Sequence, residues 1–331
     1  MVTIKDVAQE AGVAISTVSN VLNKVDVVTE STKKKVLDAV EKLGYVPNMS
    51  AKSLKNSKSH TIGLFLRSVQ GDYYKHLIQA VHWECKEREY LLNIYVSNVN
   101  TSEEVYGMMI SSCVEGAIVL NESLGQEHLK RLEESGLPIV FFDRRYSSQN
   151  ISSITIDDSV GARQAMEYLV KTGHKRIGFM QGTHSRDNTL RFETYQEILE
   201  QYHLPVKKEF IGFGKFSREE AYKETLRMIA EADTLPDALF CANDDMAFGC
   251  IQALEQSGIP VPQQVSVIGY DDSVLAQYVQ PALTTIHTPV EELGKRGIAE
   301  LFRLLTKEDK EAGIIQELYP SIIVRDSSMS K

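Results

Sequence analysis

Short apolar segments alternate with amphipathic stretches over most of this 331-residue chain. The apolar segments are TIGLFL, LLNIYV, GAIVL, PIVFFD, ISSITI, RIGFM, EFIGF, ALFCA and VSVIGY. Each has the length of a buried strand, and the stretches between them have the period of helices. This alternation predicts parallel sheets that are covered by helices on both faces. Residues 60–331 are too many for one such sheet, so we expect two similar halves.

The first 44 residues follow a different pattern, which predicts three short helices. The first helix is capped by Thr3 and ends at Gly12, and the second contains STVSNVLN after a three-residue break. The third begins after Thr29 and ends at Gly44. The apolar residues that we expect the third helix to bury are Val36, Leu37, Val40 and Leu43. We therefore expect a compact helical head.

Charge is distributed unevenly between the head and the rest of the chain. The net charge of the whole chain is -9, but residues 1–60 hold nine lysines and six acids, a net charge of +3. A phosphate-binding surface needs positive charge only where it touches nucleic acid, so the acidic total excludes no such partner. Residues 47–59 are polar and basic, with one large aliphatic residue, Leu54, and are predicted to form a linker.

The segment VAQEAGVAISTVSNVLN has the form of a helix-turn-helix. A helix can enter the major groove if its outer face carries short side chains that reach base edges while its inner face packs. Ile15, Ser16 and Asn20 occupy that outer edge. The alternative interpretation is a small helical subdomain with a solvated face.

These residues carry a family resemblance. DVAQEAGVAISTVSNVLN, followed by KVLDAVEKLGYVPN, resembles the lactose/galactose repressor (LacI/GalR) family of bacterial transcription regulators over nearly the whole chain. The resemblance implies an all-α helix-turn-helix head (1–46), a hinge helix and linker (47–59) and an α/β two-lobed sensor of the type I periplasmic-binding-protein kind (60–331). It places lobe 1 at about 60–158 and 288–317, and lobe 2 at about 159–287 and 318–331.

The resemblance also implies which residues contact an operator. They are Thr3, Ile15, Ser16, Thr17, Ser19, Asn20, Asn23, Thr29, Asn48, Ala51, Lys52, Leu54 and Lys55. Leu54 matches a leucine that wedges into the minor groove, although it could instead pack on the sensor. Many relatives have Arg where this chain has Asn20, and Asn favours adenine whereas Arg favours guanine. We therefore expect an A·T pair at that position, unless Asn20 contacts a phosphate.

The sensor is expected to bind a small effector between its lobes. Residues that match the family's ligand-contacting positions, or that follow a strand end, are Tyr73, Asp143, Arg191, Phe216, Asn243 and Asp271. Carboxylates and guanidinium groups suit hydroxyl groups, and a ring suits the apolar face of a sugar or a base. The alternatives are helix capping for Asn243 and Asp271 and a local ion pair for Arg191. His174 is expected to fix a turn.

These features predict a homodimeric repressor of carbohydrate-utilisation genes that is controlled by a sugar. The acids favour a neutral sugar, but a purine or nucleoside, or a phosphocarrier protein partner, would also fit such a regulator. Effector binding is expected to change the angle between the lobes and so the affinity for a pseudo-palindromic operator. No cofactor or metal is expected.

Other classes of protein are disfavoured. No nucleotide-binding, hydrolase or metalloprotease motif is present, which argues against an enzyme. The chain has no long apolar run and no signal-like start, so we expect a cytoplasmic protein and not a membrane protein or a transport receptor. The four cysteines are expected to be buried and reduced; they are Cys85, Cys113, Cys241 and Cys250.

Overall fold

The computed structural model describes residues 2–22, 25–45, 59–97, 101–231, 233–306 and 311–331. The chain forms two compact units, Met1–Ser59 and His60–Lys331. They are called the head and the sensor below.

The head contains three helices at the predicted positions. They are α1 (Ile4–Ala11), α2 (Ile15–Leu22) and α3 (Glu30–Leu43). At the start of α1, the backbone N–H and the hydroxyl of Thr3 both donate to the Asp6 carboxylate at 2.8 Å. Helices α1 and α3 end at Gly12 and Gly44, whose φ angles of 65° and 60° lie in the left-handed region that glycine adopts freely. The buried core consists of Val7, Ala8, Val18, Val21, Val36 and Ala39.

One predicted core residue of the head is exposed. Leu37 is 53% exposed, so the prediction that it is buried was wrong. Val36, Ala39 and Val40 share the inner face of α3, and the next residue after Val36 points about 100° away around a helix. Ala39 takes the core position that Leu37 was expected to hold.

Among the described residues of the sensor, twelve strands form two six-stranded sheets. Sheet 1 contains β1 (Thr61–Leu66), β2 (Leu91–Val96), β3 (Gly116–Leu120), β4 (Ile139–Phe141), β5 (Ile151–Ile156) and β11 (Ile315–Leu318). Sheet 2 contains β6 (Ile177–Gln181), β7 (Ile211–Phe213), β8 (Ala238–Cys241), β9 (Ser266–Asp271), β10 (Thr284–His287) and β12 (Ser321–Ile323). The strand orders are β11-β5-β4-β3-β1-β2 and β12-β10-β9-β8-β6-β7. All neighbours are parallel except β10 and β12.

Helices cover both sheets, as the alternating pattern predicts. In lobe 1, around sheet 1, they are α4 (Asp72–Glu87), α5 (Ser102–Ser111), α6 (Gln126–Ser135) and α11 (Val290–Thr306). In lobe 2, around sheet 2, they are α7 (Asp158–Lys171), α8 (Arg186–Gln201), α9 (Arg218–Glu231) and α10 (Asp244–Gln256). Helix α11 packs against α4 and β5, which returns the chain to lobe 1 after sheet 2. The chain therefore passes between the lobes three times: after β5, after β10 and after β11.

The nine predicted apolar segments all form strands, and the predicted fold class is confirmed. Three strands of three or four residues were not predicted: β10, β11 and β12. Their sequences, TTIH, IQEL and SII, mix polar and apolar residues and are too short to show a period. The prediction for the cysteines was wrong at one position, because Cys113 is exposed, whereas the other three are buried.

A contact between α9 and α10 yields a prediction for two matched glycines. A Cβ atom at Gly249 would lie 2.2 Å from the backbone oxygen of Arg218, whereas one at Gly107 would meet nothing within 4 Å. We expect Gly249→Ala to lower the free energy of unfolding by about 1–3 kcal/mol, because a backbone must shift. Gly107→Ala, in the exposed middle of α5, should raise it by roughly 0.5–1 kcal/mol. Urea unfolding of both variants checks this, and equal effects would contradict it.

Candidate functional site

The outer surface of α2 forms the candidate DNA-reading face of the head. Ile15 is 44% exposed and Ser16 is exposed, whereas Val18 and Val21 are buried beneath them. An exposed aliphatic side chain beside short polar groups suits the methyl groups and edges of bases. The partly exposed residues of the same helix that were predicted to contact DNA are Thr17, Ser19 and Asn20.

The other predicted DNA contacts are at the helix starts or outside the described residues. Thr3 and Thr29 are exposed at the N-caps of α1 and α3. Within the described part of the head, the Asn20 side chain makes no hydrogen bond, so its amide is available to a ligand. The predicted contacts that lie outside the described residues are Asn23, Asn48, Ala51, Lys52, Leu54 and Lys55.

A cleft of about 720 Å³ lies between the two lobes of the sensor. All of the predicted effector contacts line it: Tyr73, Asp143, Arg191, Phe216, Asn243 and Asp271. Most come from loops and helix starts that follow strands of both sheets. Asp271 is the last residue of β9, and Arg191 lies in the second turn of α8. The carboxyl ends of parallel strands face this cleft, which is the usual ligand site of open α/β sheets.

Arg191 is the centre of a buried polar network. Its Nε and Nη2 atoms donate to the Asp158 carboxylate at 3.0 and 2.7 Å, and its Nη1 donates to the carbonyl of Ala242. The guanidinium lies 3.6 Å from the centre of the Tyr270 ring. Burial alone would lower the pKa of Arg191, but Asp158, Tyr270 and nearby carboxylates hold it well above its usual value. The side chain therefore stays charged and keeps one fixed orientation.

The chain is strained where β9 enters the cleft. Asp271 and Asp272 have φ angles of 107° and 56°, a region that non-glycine residues rarely adopt. The buried Asp244 carboxylate holds this segment, because it accepts from the Ser273 N–H at 2.6 Å and from the Thr285 hydroxyl at 2.5 Å. Such strain is found where the surrounding structure fixes a functional residue.

The surroundings of the Asp271 carboxyl group disfavour its charged form. Burial raises its pKa well above the usual range, and Arg191 opposes this rise only in part. A ligand that donates hydrogen bonds to the Asp271 carboxylate would lower the free-energy cost of burying its charge. Asp143 differs, since it is already paired with Arg144 through contacts of 2.7 and 3.3 Å.

Aromatic side chains supply apolar surface in the same cleft. Phe216 has a φ of 58°, and its ring lies against Gly182, where a Cβ atom would be 2.2 Å from the ring. Glycine at 182 is therefore required for this ring position. Tyr73 packs edge-on against Tyr74 with ring centres 5.6 Å apart, and both residues line the cleft.

Comparisons with known proteins decide the family. Residues 3–48 match the bacterial regulatory proteins of the lacI family, and residues 166–328 match the periplasmic binding protein-like domain. The "Probable HTH-type transcriptional repressor ExuR" of Bacillus subtilis (strain 168) is 34% identical over 333 residues, covering 99% of this chain and 98% of that protein. The chain belongs to the lacI family of bacterial regulatory proteins.

Two solved structures resemble this lacI-family regulator over its full length. A lac repressor dimer bound to operator and the anti-inducer ONPF is 27% identical, with a TM-score of 0.82 and 99% coverage of both chains. A complex of the transcriptional regulator CelR with cellobiose is 28% identical, with a TM-score of 0.72, and covers 99% of this chain and 100% of that one. Family membership confirms the prediction of a DNA-binding transcription regulator that is not an enzyme. In the described ranges, no helix has the length and apolar character needed to span a membrane.

Several alternatives considered for single residues also occur in the structure. Asn243 caps α10, because its side chain accepts from the Met246 N–H at 2.9 Å. Arg191 forms the local ion pair described above. His174 is buried and fixes a helix-to-strand turn, since its ring nitrogens lie 3.0 Å from the carbonyl of Leu169 and 2.9 Å from the hydroxyl of Ser266. The cap of Asn243 and the ion pair of Arg191 orient these two side chains, and both residues still line the cleft.

The sequence patterns missed several residues that line the cleft. They include Arg67, Glu122, Asp158 and Asp187. The strand-end rule that selected Asp143 applies equally to Asp158, which follows β5 and begins α7. The same rule applies to Glu122, which follows β3, whereas Asp187 lies in the first turn of α8 and does not directly follow a strand.

Proposed function

We propose that this lacI-family protein is a cytoplasmic, homodimeric repressor of carbohydrate-utilisation genes whose operator affinity is set by a small sugar-like effector in the cleft. The cleft carries this proposal. Its carboxylate, guanidinium and amide groups converge with the ring of Phe216 around about 720 Å³. Acceptors and donors at the side of an aromatic face suit a polyol ring, and the volume suits a small ligand. The cellobiose bound to CelR supports the same class.

A purine or nucleoside is the second candidate effector. Tyr73 and Phe216 both line the cleft, and either ring offers a face on which a base could stack. Asp271 favours the sugar, because a carboxylate accepts hydrogen bonds from two vicinal hydroxyl groups.

An effector screen tests the proposal with Asp271→Asn as the matched variant. We expect a neutral sugar to raise the melting temperature of the full-length protein in proportion to the logarithm of its concentration. Asp271→Asn should lose this shift because the amide replaces one acceptor with a donor, while operator binding is retained. Thermal-shift assays of sugars, sugar phosphates, purines and nucleosides provide the measurement. Stabilisation by nucleosides alone, or operator release only by a phosphocarrier protein, would contradict the proposal that the effector is a sugar.

Operator recognition is proposed to use the face of α2 that was described above. The lac repressor structure bound to operator supports this use of the head. Asn20 is proposed to contact adenine through N6 and N7. Leu54, which lies outside the described residues, is proposed to insert into the minor groove at the centre of a pseudo-palindrome.

The base preference of Asn20 can be measured directly. We expect Asn20→Arg to change the preferred base pair at one position of each half-site from A·T to G·C, at about 1–3 kcal/mol of discrimination. Selection of binding sites from random DNA by both proteins checks this, with Thr3→Val as a control that should weaken binding without changing the preferred sequence. Identical preferences for wild type and Asn20→Arg would mean that the side chain contacts a phosphate.

Dimerisation is proposed to involve the open edge of sheet 1. Strand β2 is the last strand of that sheet, and Leu91, Ile94 and Val96 on it are 58%, 42% and 39% exposed. Trp83, on the helix α4 that packs against β2, is 59% exposed. Clustered apolar residues at an edge strand are typical of an interface with a second copy. The dimeric state of the lac repressor supports this proposal.

A further inference from the structure

Two hydrogen-bonded contacts join the lobes at the exposed edge of the cleft. The carboxylate of Glu122, which follows β3 in lobe 1, accepts from the backbone N–H of Arg186 in lobe 2 at 2.9 and 3.2 Å. Arg67, which follows β1 in lobe 1, donates to the carbonyl of His184 in lobe 2 at 3.3 Å. Glu122, Arg67 and Arg186 all line the cleft.

Both contacts reach the start of α8. Ser185 occupies the N-cap position of this helix, but its side chain makes no capping hydrogen bond and instead donates to the carbonyl of Thr183 at 3.4 Å. The first N–H groups of a helix lack partners within the helix, and a carboxylate is stabilised at this end of the helix dipole. Glu122 supplies from lobe 1 the acceptor that Ser185 does not supply from lobe 2.

We propose that Glu122 and Arg67 form an interlobe latch: Glu122 caps a helix of the opposite lobe, and the two contacts together hold the lobes closed. Helix α8 carries Asp187 and Arg191, which line the cleft one and five residues after the capped N–H. Opening the latch therefore separates the lobes and moves the start of the helix that presents Arg191. The latch is formed by residues of the two lobes whatever effector binds. The inference therefore goes beyond the proposed function.

The latch is weak enough to act as a switch. A hydrogen bond to a charged group changes an equilibrium constant by roughly ten- to a hundredfold. Because these contacts are exposed to water, we expect a factor near ten. We expect that removing the Glu122 carboxylate increases the open population of the lobes about tenfold. An effector that favours either lobe arrangement can overcome a bias of this size.

Amide hydrogen exchange of the full-length protein without effector tests the latch. In Glu122→Ala, we expect exchange in residues 182–191 and in the facing segment 67–74 of lobe 1 to become about tenfold faster. Glu122→Gln, which keeps a neutral acceptor, should have a smaller effect. Glu127→Ala serves as the matched control, because this glutamate is exposed near the start of α6 in the same lobe. Exchange that is unchanged in Glu122→Ala would overturn the proposal.

Two further measurements separate a latch from a local helix cap. If the two contacts hold one closed state, the factors by which Glu122→Ala and Arg67→Gln raise the open population should multiply in the double variant and appear in residues 182–191 and 67–74 alike. Local contacts would each change exchange only next to the substituted residue. Small-angle scattering should show a larger radius of gyration for Glu122→Ala than for Glu127→Ala. Faster exchange confined to residues 182–191, with an unchanged radius, would show a cap without a latch and would refute the proposal. Because neither measurement uses DNA or an effector, failure of the latch is distinguishable from failure of the proposed function.

Discussion

Replacing Arg191 with alanine is expected to lower the free energy of unfolding of the sensor by about 3–5 kcal/mol, the range for breaking a buried ion pair. Arg191 and Asp158 are only 5% and 8% exposed, so the substitution leaves a buried carboxylate without its counterion. The carbonyl of Ala242 also loses a donor, and the face of the Tyr270 ring loses its cation. Urea unfolding followed by far-ultraviolet circular dichroism measures the change.

The double variant Arg191→Met with Asp158→Asn is the control for this prediction. Removing both charges at once avoids the uncompensated carboxylate, so the double variant should be more stable than Arg191→Ala. A cost below about 1 kcal/mol for Arg191→Ala would show that water reaches Asp158 and that the pair is not effectively buried. Because this substitution destabilises lobe 2 as well as removing a ligand contact, Asp271→Asn is the cleaner test of effector binding.

We expect Asp244→Asn to be more stable than the wild type by an amount that grows as the pH rises from about 4 to 7. Burial raises the pKa of Asp244 from 3.8 to about 7, although the Thr285 hydroxyl and the Ser273 N–H lower it in part. Between these two pH values the folded protein binds more protons at this site than the unfolded chain, so the wild type loses stability as pH rises. The slope is about 1.4 kcal/mol per pH unit, with a total on the order of 4 kcal/mol and a plateau above pH 7.

Asparagine can keep both hydrogen bonds of Asp244, with its oxygen accepting from Ser273 and its amide donating to the hydroxyl of Thr285. The measurement is urea unfolding of wild type and variant at pH 5, 6, 7 and 8. Asp326→Asn, which removes an exposed carboxylate from the same lobe, controls for the loss of one charge. A stability difference between Asp244→Asn and wild type that does not vary with pH would contradict the prediction.

The sequence predicted the elements whose formation depends on residues that are close together in the chain. The apolar segments gave the longer strands, and the capped helices of the head begin and end close to the predicted residues. The strands β10, β11 and β12 have no such pattern, since each is defined by the strand that it joins: β11 pairs with β5, and β12 pairs with β10. Leu37 was misplaced because a spacing of three or four residues does not distinguish two adjacent helical faces.

The cleft was predicted less completely than the strands for a similar reason. A polar residue that follows a strand can be found in the sequence, and Asp143 was found in this way, whereas Asn243 and Asp271 were identified by the family resemblance. Pairing between distant residues leaves no local mark, so the ion pair of Arg191 with Asp158 was expected only as an unnamed local acid. The contact between Glu122 and Arg186 depends on the approach of the two lobes and has no counterpart in the sequence.

The three chain crossings determine the order in which the units can be completed during synthesis. Among the described residues, the contacts between the helices of the head lie within residues 2–45, so this part of the head has the short-range contacts that allow early folding. Lobe 1 cannot be completed until α11 and β11 have been made, because both come from residues beyond 289 and join strands made before residue 157. We therefore expect a chain cut short within lobe 2 to carry a folded head with no finished sensor. Such a fragment would keep the DNA-reading surface and lack the means to release DNA on a signal.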